Sequence, residues 1–280
     1  MISFFAKKPY LLDDPTKPGK VFWQRLTARV RAEEIAAYLG AKLNPTQGYE
    51  NDVCIYIKSY LLNQAKDEAS YIDILDDKYT IQLLKSRPNI NVIAMSKPHL
   101  DFLRTVIKNK IVYIPHHHIN IERIRRKRRK IVNCGYIGSN PRYDTQLNQE
   151  IGERLKKIGL NFIPYYNYDT REDIIDYYKK IDIQIIGHFT RLDDPYYHQT
   201  KIVNAMSFGI PTIASQRLGY IEVKDFFIPV TNLDELVEAA KTMKEPAFYN
   251  RWPEKIMAEA EKYHISNIAK LYQSLDNLQI

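Results

Sequence analysis

The residues best suited to chemistry lie where a polar loop, Tyr196-Tyr-His-Gln199, gives way at Thr200-Lys201 to a short apolar helical pattern that stops at Gly209. A helix start leaves its first backbone N–H groups without intrahelical partners, and the dipole adds partial positive charge, so the loop before it suits an anion. A lysine in the first turn opposes that dipole and needs a reason, which a bound phosphate would supply. His198, Gln199 and Thr200 stand in positions to line the same pocket; plain loop duty is the alternative for His198 and Gln199. A second passage of this kind is Gly135-Tyr-Ile-Gly-Ser-Asn-Pro-Arg142. Gly138 and Ser139 form its loop, Asn140 is the expected cap, and Pro141 takes the first helical position. Arg142 is either a bidentate phosphate donor or a solvated first-turn side chain.

Two further clusters invite chemistry. Asp73-Ile-Leu-Asp-Asp77 ends a predicted strand, and Asp76 or Asp77 there could serve as a general base or simply cap the next helix. His116-His117-His118 suggests a metal, but consecutive side chains in extended backbone alternate in direction, and no Cys or carboxylate stands nearby at ligand spacing. No metal site is therefore expected. Cys54 and Cys134 both fall inside predicted strands, where buried free thiols are the expectation.

Elements that position these residues follow from periodicity. Met1 to Phe5 reads as a strand, and after a Pro-, Asp- and Lys-rich loop a helix is predicted from Val21 to Leu39, stopped by Gly40. Strands Val53 to Ile57, Tyr71 to Leu75, Asn91 to Met95 and Ile111 to Ile114 then alternate with helices Leu61 to Glu68, Lys78 to Lys85 and Pro98 to Ile107. The alternation resumes with strands Ile131 to Ile137, Asn161 to Tyr165, Ile181 to Ile186, Thr212 to Ala214 and Phe226 to Val230. Between them lie helices Pro141 to Ile158 and Arg171 to Lys179, the helix opening at Thr200, and Leu233 to Met243. Strands separated by helices imply βαβ units and parallel sheets, whose ligands sit beyond the carboxyl ends of the strands. The fold class is thus α/β, with two doubly wound, Rossmann-like domains. The helical tail, Trp252 to Tyr263 and Ile265 to Leu275, is long enough to pack back on the first domain. The domains read as 1–118 with about 264–280, then a linker 119–130, then 131–263.

A chain of 280 residues with 45% apolar and 26% charged residues is neither disordered nor fibrous. Its apolar runs are only strand length and no secretory leader is evident, so cytoplasmic residence is expected. The formal charge of +8 resides almost wholly in Glu122 to Lys130, without which 34 basic side chains face 32 acidic ones. That segment is a solvated connector, or a patch for anionic lipid headgroups or nucleic acid. It lacks aromatic residues for stacking bases, and no nucleic-acid-binding motif follows, which favours lipid and peripheral membrane contact over nucleic acid.

Lys201-Ile-Val-Asn-Ala-Met-Ser-Phe-Gly-Ile-Pro-Thr-Ile-Ala-Ser215, with the Gly138-Ser139 loop and Ile114-Pro-His-His-His-Ile-Asn120 before the linker, resembles the GT-B glycosyltransferases, most closely the retaining family 4 type. The resemblance is specific over Ile131 to Glu222. It implies a nucleotide-sugar donor on the second domain, an acceptor on the first (a glycan, a lipid-linked sugar or a small molecule), and transfer in the cleft between, with no cofactor. It places Lys201 and Arg142 on the donor diphosphate, Asn204 toward the ribose, and Glu222 at the Gly-x-x-Glu acid near the donor. The sequence departs from that pattern at Tyr196 and Asn204, where the family keeps glutamates, and at Leu147, where a second basic residue is usual. A non-catalytic nucleotide-sugar-binding protein and a nucleotide-sugar 2-epimerase remain alternatives of the same fold.

Overall fold

The computed structural model describes residues 1–7, 28–58, 63, 65–66, 68–75, 77–126, 130–138, 145–166, 168 and 170–275. By its internal packing the chain divides into two units. The first comprises Met1–His117 and Pro195–His198 with the chain from Tyr263 onward; the second comprises His118–Asp194 and Gln199–Lys262.

In the first unit, β1 (Ile2–Phe5), β2 (Lys42–Leu43), β3 (Val53–Ile57), β4 (Ser70–Asp73), β5 (Asn91–Ala94) and β6 (Ile111–Tyr113) form one sheet in the order β2-β1-β3-β4-β5-β6. Every pairing is parallel. Strands such as Val53–Ile57 are buried at every position, as expected of a parallel sheet covered on both faces. A π-helical turn, Arg29–Glu33, leads into α1 (Glu34–Leu39), which ends at Gly40 in the left-handed conformation that glycine adopts without strain. α2 (Lys78–Lys85) and α3 (Lys97–Val106) follow, the latter capped by Ser96, whose hydroxyl accepts the His99 amide at 3.2 Å.

The second sheet contains β7 (Asn133–Ile137), β8 (Asn161–Tyr165), β9 (Ile183–Ile186), β10 (Thr212–Ser215) and β11 (Ile228–Val230), in the order β11-β10-β9-β7-β8 and again all parallel. Its helices are α4 (Thr145–Lys157), α5 (Arg171–Lys180), α6 (Thr200–Ser207), α7 (Leu233–Met243), α8 (Pro246–Tyr249) and α9 (Pro253–Ala260). A reciprocal capping box opens α5: Thr170 accepts the Asp173 amide while Asp173 accepts that of Thr170. The strand order reverses between β7 and β9, and a crevice at such a switch point, beyond the strands' carboxyl ends, is where this topology binds ligands.

The tail helix α10 (Ile265–Gln273) belongs to the first unit. Its Tyr272 packs edge-on to Phe4 at 5.5 Å and lies near a buried ion pair, Arg31 Nε to Asp73 Oδ2 at 2.5 Å. Arg31 also donates to the carbonyls of Ile114 and Pro115. Burial works against the charge on Arg31, but Asp73 with Tyr272 and Tyr113 together outweigh it and hold the guanidinium's pKa above its ordinary value.

Several expectations change. Half of the helix predicted over Leu61 to Glu68 falls outside the described residues, and Ala65, Lys66 and Glu68 within it are not helical. The first seven residues of the helix predicted from Val21 also lie outside them. β2 was not foreseen, being only two residues long, and Leu218–Phe226 forms a 3₁₀ segment interrupted at Val223. The basic segment is not a free connector over its described part. Arg123 pairs with Glu261, Arg125 with Glu254 and Arg126 with Asp182, while Glu122 pairs with Arg171, all within the second unit. Residues 127–129, which carry three of its positive charges, lie outside the described residues.

Candidate functional site

The second unit brings three of its polar side chains together at the β7/β9 switch point. Tyr136 lies on β7, His188 follows β9 directly after Gly187, and Lys201 occupies the first turn of α6. Lys201 Nζ donates to Tyr136 Oη at 3.2 Å and sits 4.7 Å from the centre of its ring, so the ammonium gains both a hydrogen bond and a cation–π contact. His188 Nε2 lies 2.9 Å from the same phenol oxygen, its ring edge-on to Tyr136 at 5.3 Å. On the far side, Tyr166 meets Tyr136 at 5.9 Å and is itself bonded to Asn148.

Local packing explains why these groups hold still. Gln184 on β9 donates to the carbonyl of Lys201 at 2.8 Å, which ties the start of α6 to the sheet. Asn120 donates to the Ser207 carbonyl at 2.9 Å, which ties its end. Arg217, buried after β10, donates to the carbonyl of His188 at 2.8 Å and to that of Arg191. Gly138 is required for room: a Cβ there would lie 2.7 Å from Tyr136 Oη.

The predicted site residues divide as follows. Thr200 and Lys201 begin α6 as expected and Gln199 precedes it, buried and with its Oε1 lacking a hydrogen-bond partner among the described residues. Gly138 ends β7 beside Tyr136. Asn204 is buried in α6, and its Oδ1 accepts the Ile119 amide at 3.0 Å. Glu222 is half-buried on the 3₁₀ segment. Ser139 and Arg142 lie outside the described residues. His198 packs in the first unit, its ring stacked on His116 at 4.6 Å. Tyr196, at the position of the family's first glutamate, is likewise held there by His99 and Phe102, with Lys78 over its ring at 4.8 Å.

Asp77 is the N-cap of α2. Its Oδ1 accepts the Tyr79 amide at 3.1 Å and its Oδ2 the Thr80 hydroxyl at 2.6 Å, which is the capping alternative to a catalytic base. The three consecutive histidines part company as alternation requires. His117 faces the Val30 carbonyl at 2.9 Å and Glu34 at 3.2 Å, His116 stacks on His198, and His118 begins the second unit. Among the described residues no cluster of His, Cys, Asp or Glu could hold a metal ion. Cys54 and Cys134 are buried free thiols.

Tyr136 and His188 are the residues that sequence reasoning missed. Tyr136 was hidden inside an apolar strand pattern, and His188 stood alone after a strand; only the strand order brings them together. Two cavities, one of about 180 Å³ beside Arg125, Arg126 and Met257 and one of about 310 Å³ between α4 and β8, are not lined by Lys201 or His188. The case for the switch point rests on its chemistry.

Two parallel sheets, each covered by helices, give this chain the fold of the GT-B glycosyltransferases. Among solved structures it is similar to Anabaena HepE, described in complex with UDP and glucose, at a TM-score of 0.61 and 10% identity over 98% of each chain. It is also similar to WaaG, a glycosyltransferase of lipopolysaccharide biosynthesis, at 0.62 and 9% identity over 98% of this chain and 99% of that one. Against a chain of the GtfA/B complex the TM-score is 0.56 at 11% identity, and the match spans 57% of that chain; against TarM it spans 52%. No protein-family model and no curated protein matches the chain. The likeness is one of fold.

Proposed function

We propose that this protein is a glycosyltransferase that takes its sugar from a nucleoside diphosphate donor seated at the carboxyl end of the second sheet. The observation that carries the reading is the ammonium of Lys201, held on Tyr136 at a topological switch point and at the start of a helix. When the bond between the sugar's anomeric carbon and the β-phosphate oxygen breaks, its electron pair goes to that oxygen. The acceptor hydroxyl oxygen bonds to the anomeric carbon, and its proton passes to the departing phosphate oxygen. A cation and helix amides placed against the departing phosphate stabilise the charge, so the reaction needs no metal. Arg142, by its place in the sequence, is the second cation. Asp77 has no part in this scheme, because its two oxygens cap α2. The resemblance to the family 4 type supports a retaining outcome. The acceptor is a glycan, a lipid-linked sugar or a small molecule, and a lipid-linked one would bring the basic segment to an anionic membrane face.

A second reading, a nucleotide-sugar-binding protein without turnover, is favoured by one observation. The positions of the family's two glutamates hold Tyr196, packed among aromatic side chains, and Asn204, whose oxygen holds Ile119. Thermal unfolding with UDP, GDP, ADP and TDP tests the donor site. A ligand at a hundred times its Kd adds about 2.7 kcal/mol, and Lys201→Ala should remove most of the resulting shift. No shift with any of the four would sink the reading. Release of free or transferred sugar from the matching donor separates enzyme from binder.

A further inference from the structure

Tyr136 is the hinge of the polar cluster, and the geometry points to a specific role: we propose that Tyr136 is a positioning residue that presents the Lys201 ammonium to a phosphate-bearing ligand, with His188 fixing the phenol. The proposal rests on the donor reading for its ligand, though its structural part stands alone. Lysine can only donate, so the 3.2 Å contact makes the phenol oxygen an acceptor. Two arrangements of the hydroxyl hydrogen then involve His188. It goes to His188 Nε2, 2.9 Å away, when that nitrogen is unprotonated; when Nε2 carries the proton and donates to the phenol, the hydroxyl can turn to an oxygen of the ligand. Either way the oxygen bridges two side chains from different elements, one following β9 and one in the first turn of α6.

Packing constrains the ring as well. Tyr136 is 5% exposed, and Tyr166 and His188 meet its ring edge-on. The space its hydroxyl occupies is the space a side chain at residue 138 would need, since a Cβ at Gly138 would sit 2.7 Å from Oη. The glycine of the loop thereby serves the tyrosine as well as any ligand. A lysine has four rotatable bonds and loses much side-chain entropy when a ligand must fix it; the ring and the hydroxyl bear that cost in advance.

Two measurements on the full chain test the role. First, Tyr136→Phe keeps the ring and removes the hydroxyl, so acylation of Lys201 by a soluble succinimidyl ester, followed by mass spectrometry, should quicken roughly tenfold to a hundredfold, as loss of about one charge-assisted hydrogen bond predicts. Other lysines, such as Lys244 and Lys255, should label at unchanged rates. Second, Tyr136→Phe should weaken UDP by roughly tenfold and UMP much less, because the diphosphate is what Lys201 meets. His188→Gln, which retains a hydrogen-bonding group, should fall between wild type and Tyr136→Phe in both assays and serves if Tyr136→Phe folds poorly. Unchanged labelling of Lys201 in both variants overturns the positioning role whatever the nucleotide result. Quickened labelling in a protein whose wild type binds neither UDP nor UMP upholds the hold on Lys201 and overturns UDP as the ligand. An equal loss for UMP and UDP overturns the presentation of Lys201 to the diphosphate.

Discussion

Replacing Asp73 by alanine should uncouple the first unit from its own core. The guanidinium of Arg31 is 1% exposed and the carboxylate of Asp73 is wholly buried, 2.5 Å from it. Without the carboxylate, the cation would keep the carbonyls of Ile114 and Pro115 and the Tyr272 ring, but no opposite charge at contact distance. Breaking a buried pair on one side costs about 3–5 kcal/mol, whereas replacing both members by apolar residues of like volume is often neutral. A domain holds about 5–15 kcal/mol in reserve, so the single change should consume a large share of it. Hydrogen exchange read by mass spectrometry on peptides spanning β4 gives the assay. For an opening that costs about 4 kcal/mol less, exchange should rise roughly a thousandfold. The paired change Arg31→Met with Asp73→Leu should recover most of the protection. Exchange within about threefold of wild type in Asp73→Ala, equivalent to under about 1 kcal/mol, would show that the buried pair does not hold the unit together, as would a double variant no better than the single.

Three other outcomes follow from the same structure. Burial, with His198, Arg31 and His117 around it, holds the His116 imidazole well below its ordinary 6.5. The unfolded chain therefore binds more protons below about pH 6.5, and stability should fall as pH drops from there toward the ring's native value, by at most about 1.4 kcal/mol per pH unit; thermal midpoints of His116→Gln should show a shallower acid slope. Gly209→Ala should cost about 1–2 kcal/mol in urea unfolding, because residue 209 has φ of +73° and its Cβ would lie 3.2 Å from Met257 Sδ. Gly138→Ala must displace the Tyr136 hydroxyl, so its UDP affinity should fall by roughly the same tenfold factor as that of Tyr136→Phe when measured by calorimetry.

Much of this molecule is legible in its sequence because parallel α/β sheets announce themselves. Buried strands such as Val53–Ile57 and Ile183–Ile186 are apolar runs of fixed length, and Gly40 and Gly209 stop their helices in the left-handed conformation. Lys201 was legible too, since a cation in the first turn of a helix needs a reason. Tyr136 and His188 were not, because their meeting depends on β9 pairing with β7, a pairing between strands separated by β8 in sequence. The ion pairs of Arg123, Arg125 and Arg126 were hidden for the same cause: each partner lies more than fifty residues onward, and a run of like charge read locally looks solvated. Asp77 shows the converse difficulty, since a capping residue and a base at a strand end look alike in sequence, and only the structure shows its capping contacts.

On the reading proposed above, a nucleoside diphosphate sits at the β7/β9 switch point against Lys201. Hydrogen exchange of the full chain with and without saturating nucleotide, using whichever of the four diphosphates shifts unfolding, locates that ligand directly. Protection should concentrate in peptides covering Tyr136 to Gly138 and Gln199 to Val203, and Lys201→Ala should abolish it at the same concentration. Protection confined to other peptides, or unchanged by Lys201→Ala, would contradict the claim.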